Sequence, residues 1–456
     1  MSFLSRRTFL KQNAILGVGV ALAPGLPTMA LHSTSATTPA ILGGTPLLKT
    51  EWPKWPRWNP ETDEPRILEV LRSGVWSRAS VTAEFEQAWA KSLGVKRSLL
   101  VVNGTNALTI ALNQLDIRAG DEVLIPPYTF IATATAVLAN GAMPVFVDVD
   151  PDTFQIDPAK IEAKITPRTK AIMPVHILGL PADMPAIMTI AKKHNLVVIE
   201  DACQAHLAEI NHQKVGTIGQ AGCFSFQNSK NLAIGEGGAI VSNDDAFMDR
   251  CFSYQNFGYP YGNVVGSVST GSIRQGSKLR ITEYQAAIGL AQLARLDAET
   301  TTRNTNAAYL KSRLAAIPGI VPYKLYDHVT RAAFHLFAFR YQQEAFRGLP
   351  RAAFIKALQA EGIPCLSGYA TLPDQLFLKD AFASKNFRKI YSREMLNFEE
   401  YVARNACPVN ERLCNEEAVW FTQNILLGTL PDMDLIADAV ARVHQHADTI
   451  RQQTNR

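Results

Sequence analysis

Short, unbroken apolar runs separated by stretches of helical periodicity organise this chain. Leu99-Leu100-Val101-Val102, Val123-Leu124-Ile125, Val145-Phe146-Val147, Ala171-Ile172-Met173, Leu196-Val197-Val198-Ile199 and Ala239-Ile240-Val241 lack the polar alternation of a strand with one wet face. Between them, Phe85, Trp89 and Leu93 share a helical stripe that Gly94 can end, and Leu108, Ala111, Leu112 and Leu115 share another. Strands buried on both faces and alternating with helices predict an α/β fold whose mainly parallel sheet is sandwiched by helices.

After the last of these runs, residues 258–277 are rich in Gly, Ser and Val without a period, which predicts a long active-site or interface loop. A long helix follows through Glu283 to Leu293. Near residue 319 the style changes. Here the pattern predicts a strand over His335 to Tyr341, a helix from Pro350 to Glu361 stopped by Gly362, a strand at Ile425-Leu426-Leu427 and a final helix after Pro431-Asp432. The expected organisation is a leader over 1–30, an irregular arm over 31–60 with Trp52, Trp55 and Trp58 among prolines, a large domain over 61–318 and a smaller α+β domain over 319–456.

Composition adds constraints. Hydrophobic residues at 47% and charged residues at 19% exclude a disordered chain. The net charge of +4 falls once the leader's Arg6, Arg7 and Lys11 are set aside, leaving 42 bases against 41 acids and no electrostatic case for nucleic acid. In the leader, Ser5-Arg6-Arg7-Thr8-Phe9-Leu10-Lys11 precedes the apolar run Ala14 to Ala23, which is too short to span a bilayer. The order of charged, apolar and small-residue zones predicts a twin-arginine export signal and a periplasmic or exported protein, against the alternatives of a frayed N-terminus and a cytoplasmic enzyme. No other stretch has the length and apolarity of a membrane span. Cys203, Cys223, Cys251, Cys365, Cys407 and Cys414 show no metal-like spacing, and buried free thiols are expected ahead of a disulfide frame.

The chemistry concentrates at the carboxyl ends of the predicted strands, where open parallel sheets bind ligands. Lys230 sits between the aromatic segment Phe224-Ser225-Phe226 and the cluster Gly235-Glu236-Gly237-Gly238, and Asp201 ends the run before it. A lysine and an acid in that order suit an enzyme that holds an aldehyde cofactor as an imine and tunes its ring with a carboxylate. Asn103-Gly104-Thr105 follows a strand and opens a helix, so its N–H groups can hold a phosphate, and Ser225 lies five residues before the lysine. Tyr128 and Phe130 bring rings to the same edge, for stacking or for core packing. Each piece has a plainer reading alone: a solvated lysine, a turn-capping aspartate, an ordinary strand-to-helix turn. A nucleotide-binding loop at Gly104-Thr105 lacks the accompanying phosphate-loop lysine.

Taken in order, Gly120-Asp121-Glu122-Val123, Pro144 to Asp150, Glu200-Asp201-Ala202 and Ser225-Phe226 through Lys230 to Gly238 resemble the DegT/DnrJ/EryC1/StrS sugar aminotransferases, fold-type I pyridoxal 5'-phosphate enzymes, over roughly residues 40 to 435. The resemblance implies a seven-stranded, aspartate aminotransferase-like large domain. It also implies that Lys230 carries the cofactor, Asp201 pairs with its ring nitrogen, Gln204 lies near its ring hydroxyl, Phe130 stacks on it, and Gly104, Thr105 and Ser225 contact its phosphate. The family completes its site from a partner subunit with a Gly-x-Asn-x-Arg segment; here Gly276-Ser277-Lys278-Leu279-Arg280 has lysine in place of the asparagine, leaving Lys278 and Arg280 as the candidates. Relatives that dehydrate sugars carry histidine at the lysine position, so Lys230 implies transamination. The expectation is a homodimeric, metal-free aminotransferase moving an amino group from glutamate or glutamine to a keto-sugar or keto-cyclitol by a ping-pong mechanism. Because nucleotide-linked sugars are not expected outside the inner membrane, the alternative is a non-catalytic binding or sensing protein of the same fold.

Overall fold

The computed structural model describes residues 38–49, 51–262 and 271–454. The leader lies outside the described residues, as do residues 263–270 of the Gly/Ser/Val-rich loop. Seven strands form the main sheet: β1 (Arg97–Val101), β2 (Glu122–Ile125), β3 (Met143–Phe146), β4 (Thr169–Ile172), β5 (Val197–Asp201), β6 (Ala221–Ser225) and β7 (Gly238–Ser242). Their order is β1-β7-β6-β5-β4-β2-β3, and β7 alone runs antiparallel to its neighbours.

The unbroken apolar runs are explained by two separate cores, one on each face. Leu100, Leu124, Ile172 and Val198 pack on one side with Phe85 and Trp89 of the helix Ser80–Leu93. Their neighbours Leu99, Val101, Val123, Ile125, Ala171 and Ile199 pack on the other, with Leu108 of the helix Gly104–Gln114 and Val137 of the helix Ala132–Ala139. Successive side chains point to opposite faces of a strand, so a strand covered on both sides is apolar at consecutive positions through its middle. The edge strand β3 is covered: Tyr401 Oη donates to the Pro144 carbonyl at 2.7 Å, and Phe146 N donates to Asn405 Oδ1 at 2.7 Å.

The helix that begins at Glu283 runs on to Ala315, 33 residues, and packs against both Ser80–Leu93 and the helix Leu430–Gln445. At about 1.5 Å per residue it is roughly 50 Å long, which carries the chain from the main sheet to a second, four-stranded antiparallel one. That sheet has the order Ile320–Pro322, Leu336–Tyr341, Ala418–Thr422, Cys365–Leu366.

One expected strand is corrected. Ile425–Leu427 is a 3-10 turn, closed by Leu427 N donating to the Asn424 carbonyl at 3.1 Å. A strand would send Leu426 to the face opposite Ile425, whereas the turn buries both in one core, and Asn306 Nδ2 of the long helix takes the Leu426 carbonyl at 2.9 Å. The strand of this region is Ala418–Thr422 instead. All six cysteines are free thiols.

Candidate active site

A cavity of about 780 Å³ opens at the carboxyl ends of the main strands, between the two sheets. The structure places Gly104, Thr105, Phe130, Asp201, Gln204, Ser225 and Lys230 on its wall. These residues come from separate loops, each at the end of a parallel strand, so the sheet itself brings them to one edge.

One end of the cavity is the start of the helix Gly104–Gln114. The Asn103 side chain caps it by accepting from Asn106 N at 2.8 Å, which leaves the N–H groups of the first turn directed at the cavity. Close approach fixes the glycines here. A Cβ on Gly104 would lie 2.8 Å from both Cys203 Sγ and Ser225 Cβ, and one on Gly238 would lie 2.4 Å from the Asn103 carbonyl carbon. The second of these explains the last glycine of the cluster beyond Lys230: β7 must press against the helix start. The result is a compact nest of donors beside the Ser225 hydroxyl, suited to a phosphate.

Asp201, 4% exposed at the end of β5, is held from two sides. Thr133 Oγ1 donates to its Oδ2 at 2.8 Å and Cys203 N donates to its Oδ1 at 3.2 Å. Thr133 in turn meets Thr129 Oγ1 at 2.9 Å. The carboxylate therefore both caps the following turn and faces the cavity. Tyr128 and Phe130 part ways: Tyr128 is wholly buried and receives Trp420 Nε1 at 2.9 Å, while Phe130 is 57% exposed with its ring on the cavity wall.

Burial holds the Lys230 amine below its ordinary value, against the opposing pull of Cys203 and Asp201. That depression favours the neutral, nucleophilic amine needed to condense with an aldehyde. Burial also pushes the Cys203 thiol well up and the His335 imidazole well down, so both are neutral where they line the cavity. Gln204 is already engaged: its Oε1 accepts from Leu178 N at 2.8 Å and its Nε2 donates to Tyr369 Oη at 2.7 Å.

Lys278 and Arg280 do not line the cavity of their own chain. Lys278 bridges to Asn256, and Arg280 donates to Asn256 Oδ1 at 3.1 Å beside the half-exposed ring of Phe257.

Three contributors had no sequence signal. Thr133 is recognisable only through its partner; Tyr369 lies in an irregular segment with no period; and His206 reads as one more core residue. His206 is buried against Trp89, Phe224 and Phe226 and donates from Nε2 to the Ser225 carbonyl at 2.9 Å, which fixes the strand end behind that nest of donors. No group of three or more metal-ligating side chains occurs among the described residues.

Residues 59–408 match the model of the DegT/DnrJ/EryC1/StrS aminotransferase family. An L-glutamine:2-deoxy-scyllo-inosose aminotransferase of Streptoalloteichus tenebrarius is 36% identical over 427 residues, covering 90% of this chain and 99% of that protein. One of the same name from Streptomyces fradiae is 34% identical, covering 89% and 97%. Among solved structures, 3-amino-5-hydroxybenzoic acid (AHBA) synthase superposes with a TM-score of 0.73 at 31% identity, over 86% of this chain and 99% of that one. An aminotransferase from Psychrobacter cryohalolentis gives 0.73 at 30%, over 87% and 100%. With a family match over most of its length and relatives at this level of identity, the chain belongs to the DegT/DnrJ/EryC1/StrS aminotransferase family.

Proposed function

We propose that this enzyme exchanges the amino group of L-glutamine, or of glutamate, for the carbonyl oxygen of a keto-cyclitol or keto-sugar, releasing a 2-oxo acid and a cyclic amine in two half-reactions. The observation that carries the reading is the convergence of Lys230, Asp201, Phe130 and the Gly104–Thr105 nest on one cavity. That cavity fits pyridoxal 5'-phosphate on chemical grounds. Gly104 and Gly238 have no room for a Cβ, the helix start offers spare N–H donors, and the buried Asp201 carboxylate and the half-buried Lys230 line the same cavity. The names of the relatives support L-glutamine as donor and an inosose as acceptor.

When bound, the cofactor supplies an electron sink for the carbon that loses a proton. The chain supplies the rest. Lys230 Nζ holds the cofactor before substrate arrives and afterwards carries the proton between the two carbons that exchange it. Asp201, fixed by Thr133 and the Cys203 N–H, would pair with the ring nitrogen of the cofactor. Phe130 would stack on the ring, and the Gly104–Thr105 nest with Ser225 would hold the phosphate, which would orient the cofactor for both half-reactions. Two copies of the chain form the working unit, with Lys278 and Arg280 of one reaching the phosphate of the other. Their place outside their own cavity, beside the exposed Phe257, supports that arrangement.

The test is spectroscopic. L-glutamine added without acceptor should abolish the visible band of the lysine-bound cofactor, and a keto-cyclitol should restore it. A band that persists through L-glutamine and glutamate alike would overturn the reading.

A further inference from the structure

The tryptophan-rich arm takes no part in the chemistry above, yet four hydrogen bonds fasten it around the site. Trp55 Nε1 donates to the carbonyl of Lys230 at 3.2 Å, and Asn424 Nδ2 donates to the Pro53 carbonyl at 2.9 Å. Trp52 Nε1 reaches the Gly362 carbonyl at 2.9 Å, and Gln292 Nε2 reaches the Arg57 carbonyl at 2.9 Å. Trp55 and Asn424 both line the cavity.

Behind this wall lies Arg303, whose side chain is 0% exposed. Its guanidinium carbon stands 5.1 Å from the centroid of the Trp55 ring, and its Nε and Nη2 donate to Gln423 Oε1 at 2.9 and 2.6 Å. Gln423 also lines the cavity. Glu299 is its ion partner at 3.4 Å, while Nη1 has no hydrogen-bond partner among the described residues. Burying a guanidinium is costly unless its contacts are good, and an indole face is the aromatic surface that attracts a desolvated cation most strongly. Here that cation fixes one ring and one amide, and both belong to the cavity wall.

We propose that Trp55 is a specificity-determining residue, its indole forming the arm-side wall against which the ring of the acceptor lies, and that Arg303 is a positioning residue that sets Trp55 and Gln423 without touching substrate. This rests on the aminotransferase reading above and adds the recognition of the acceptor. A cyclic polyol ketone presents C–H groups on its faces and hydroxyls around its rim. The same cavity is lined by the indole of Trp55, by Tyr369 and Trp420, whose rings meet at 4.5 Å, and by the amides of Gln423 and Asn424, a mix of ring surface and polar groups that matches that pattern. A flexible amino acid donor has no such face, so loss of the wall falls on the acceptor.

Full-length Trp55→Ala, Trp55→Phe and Arg303→Lys variants, checked for a wild-type-like melting transition, test this with steady-state kinetics on L-glutamine and 2-deoxy-scyllo-inosose. Trp55→Ala should raise the acceptor KM about tenfold or more and leave the glutamine KM within about twofold, while Trp55→Phe regains most of the loss. Arg303→Lys keeps the charge but not the planar fork and should raise the acceptor KM about threefold or more. The second readout needs neither turnover nor cofactor. Acetic anhydride acylation of the cofactor-free protein, mapped by peptide mass spectrometry, should modify Lys230 about fivefold faster in Trp55→Ala, with lysines far from the arm unchanged. An unchanged acceptor KM, or equal rises in both KM values, overturns the proposal. If Trp55→Ala does not fold, Trp55→Phe and Arg303→Lys decide by the same KM comparison. If the wild type turns over no keto-cyclitol, the functional reading fails, and unaltered Lys230 acylation would then overturn the role of the arm separately.

Discussion

Replacing Thr133 by valine removes one hydroxyl and almost no volume, and it isolates what holds Asp201 in place. The Thr133 hydroxyl is buried, donates to Asp201 Oδ2 at 2.8 Å and is paired with Thr129 at 2.9 Å. A hydrogen bond to a charged group contributes about 2 kcal/mol, near the middle of the usual range. If that stabilisation is felt at the ring nitrogen in the transition state, its loss lowers kcat about thirtyfold, since about 1.4 kcal/mol corresponds to a factor of ten. Thr133→Val should therefore fold, retain cofactor less firmly and show kcat reduced by roughly one to one and a half decades. Thr133→Ser, which restores the hydroxyl, should recover most of the rate. Stopped-flow measurement of the glutamine half-reaction separates this effect from product release. A Thr133→Val enzyme within about threefold of wild type, or a serine variant as slow as the valine one, would refute the claim that this hydroxyl orients the carboxylate.

Acid should destabilise the fold through His206. Burial pushes its imidazole down to about 3 from an ordinary 6.5. In that window the unfolded chain takes up a proton that the folded ring cannot, so its contribution is complete above 6.5 and is lost as pH falls toward 3. The full gap corresponds to about 5 kcal/mol. Urea unfolding at pH 8 and pH 4 should show a larger drop for wild type than for His206→Gln, and equal drops would contradict this account. Gly104→Ala places a Cβ 2.8 Å from Cys203 Sγ and Ser225 Cβ, so the helix start must shift. Calorimetry should find a loss of about 1–3 kcal/mol together with weaker cofactor binding, and an unchanged cofactor Kd would show that the nest is not the phosphate site. We propose that the leader directs export of the folded enzyme. Replacing Arg6 and Arg7 by lysine should leave the protein in the cytoplasm with its leader uncut, and fractionation with N-terminal sequencing checks both points.

The main sheet was legible because burial on both faces writes an unmistakable pattern: Leu99 to Val101 and Val123 to Ile125 are apolar at every step since each step faces a core. Ile425-Leu426-Leu427 reads as a strand for the same reason. Three consecutive buried residues satisfy a strand and a tight turn equally, and what decides is the Asn306 amide and the Asn424 carbonyl, both contributed by polar residues that carry no periodic signal. Within the site, Asp201 is legible as a polar residue at the end of an apolar run, and Lys230 by its place between an aromatic segment and a glycine cluster. Thr133 and Tyr369 did not, because their roles come from hydrogen bonds across 68 and 165 residues of chain. The arm is the extreme case. Its tryptophans looked like irregular connection, and only the fold brings Trp55 against the Lys230 carbonyl.

The central claim is that Lys230 is the amine that holds the cofactor. Borohydride reduction of the pyridoxal 5'-phosphate-loaded protein fixes the cofactor to whichever amine carries it, and peptide mass spectrometry then locates it. One modified residue is expected, Lys230, and none in Lys230→Ala. A pyridoxyl group on any other lysine, or a modified Lys230→Ala protein, would contradict it.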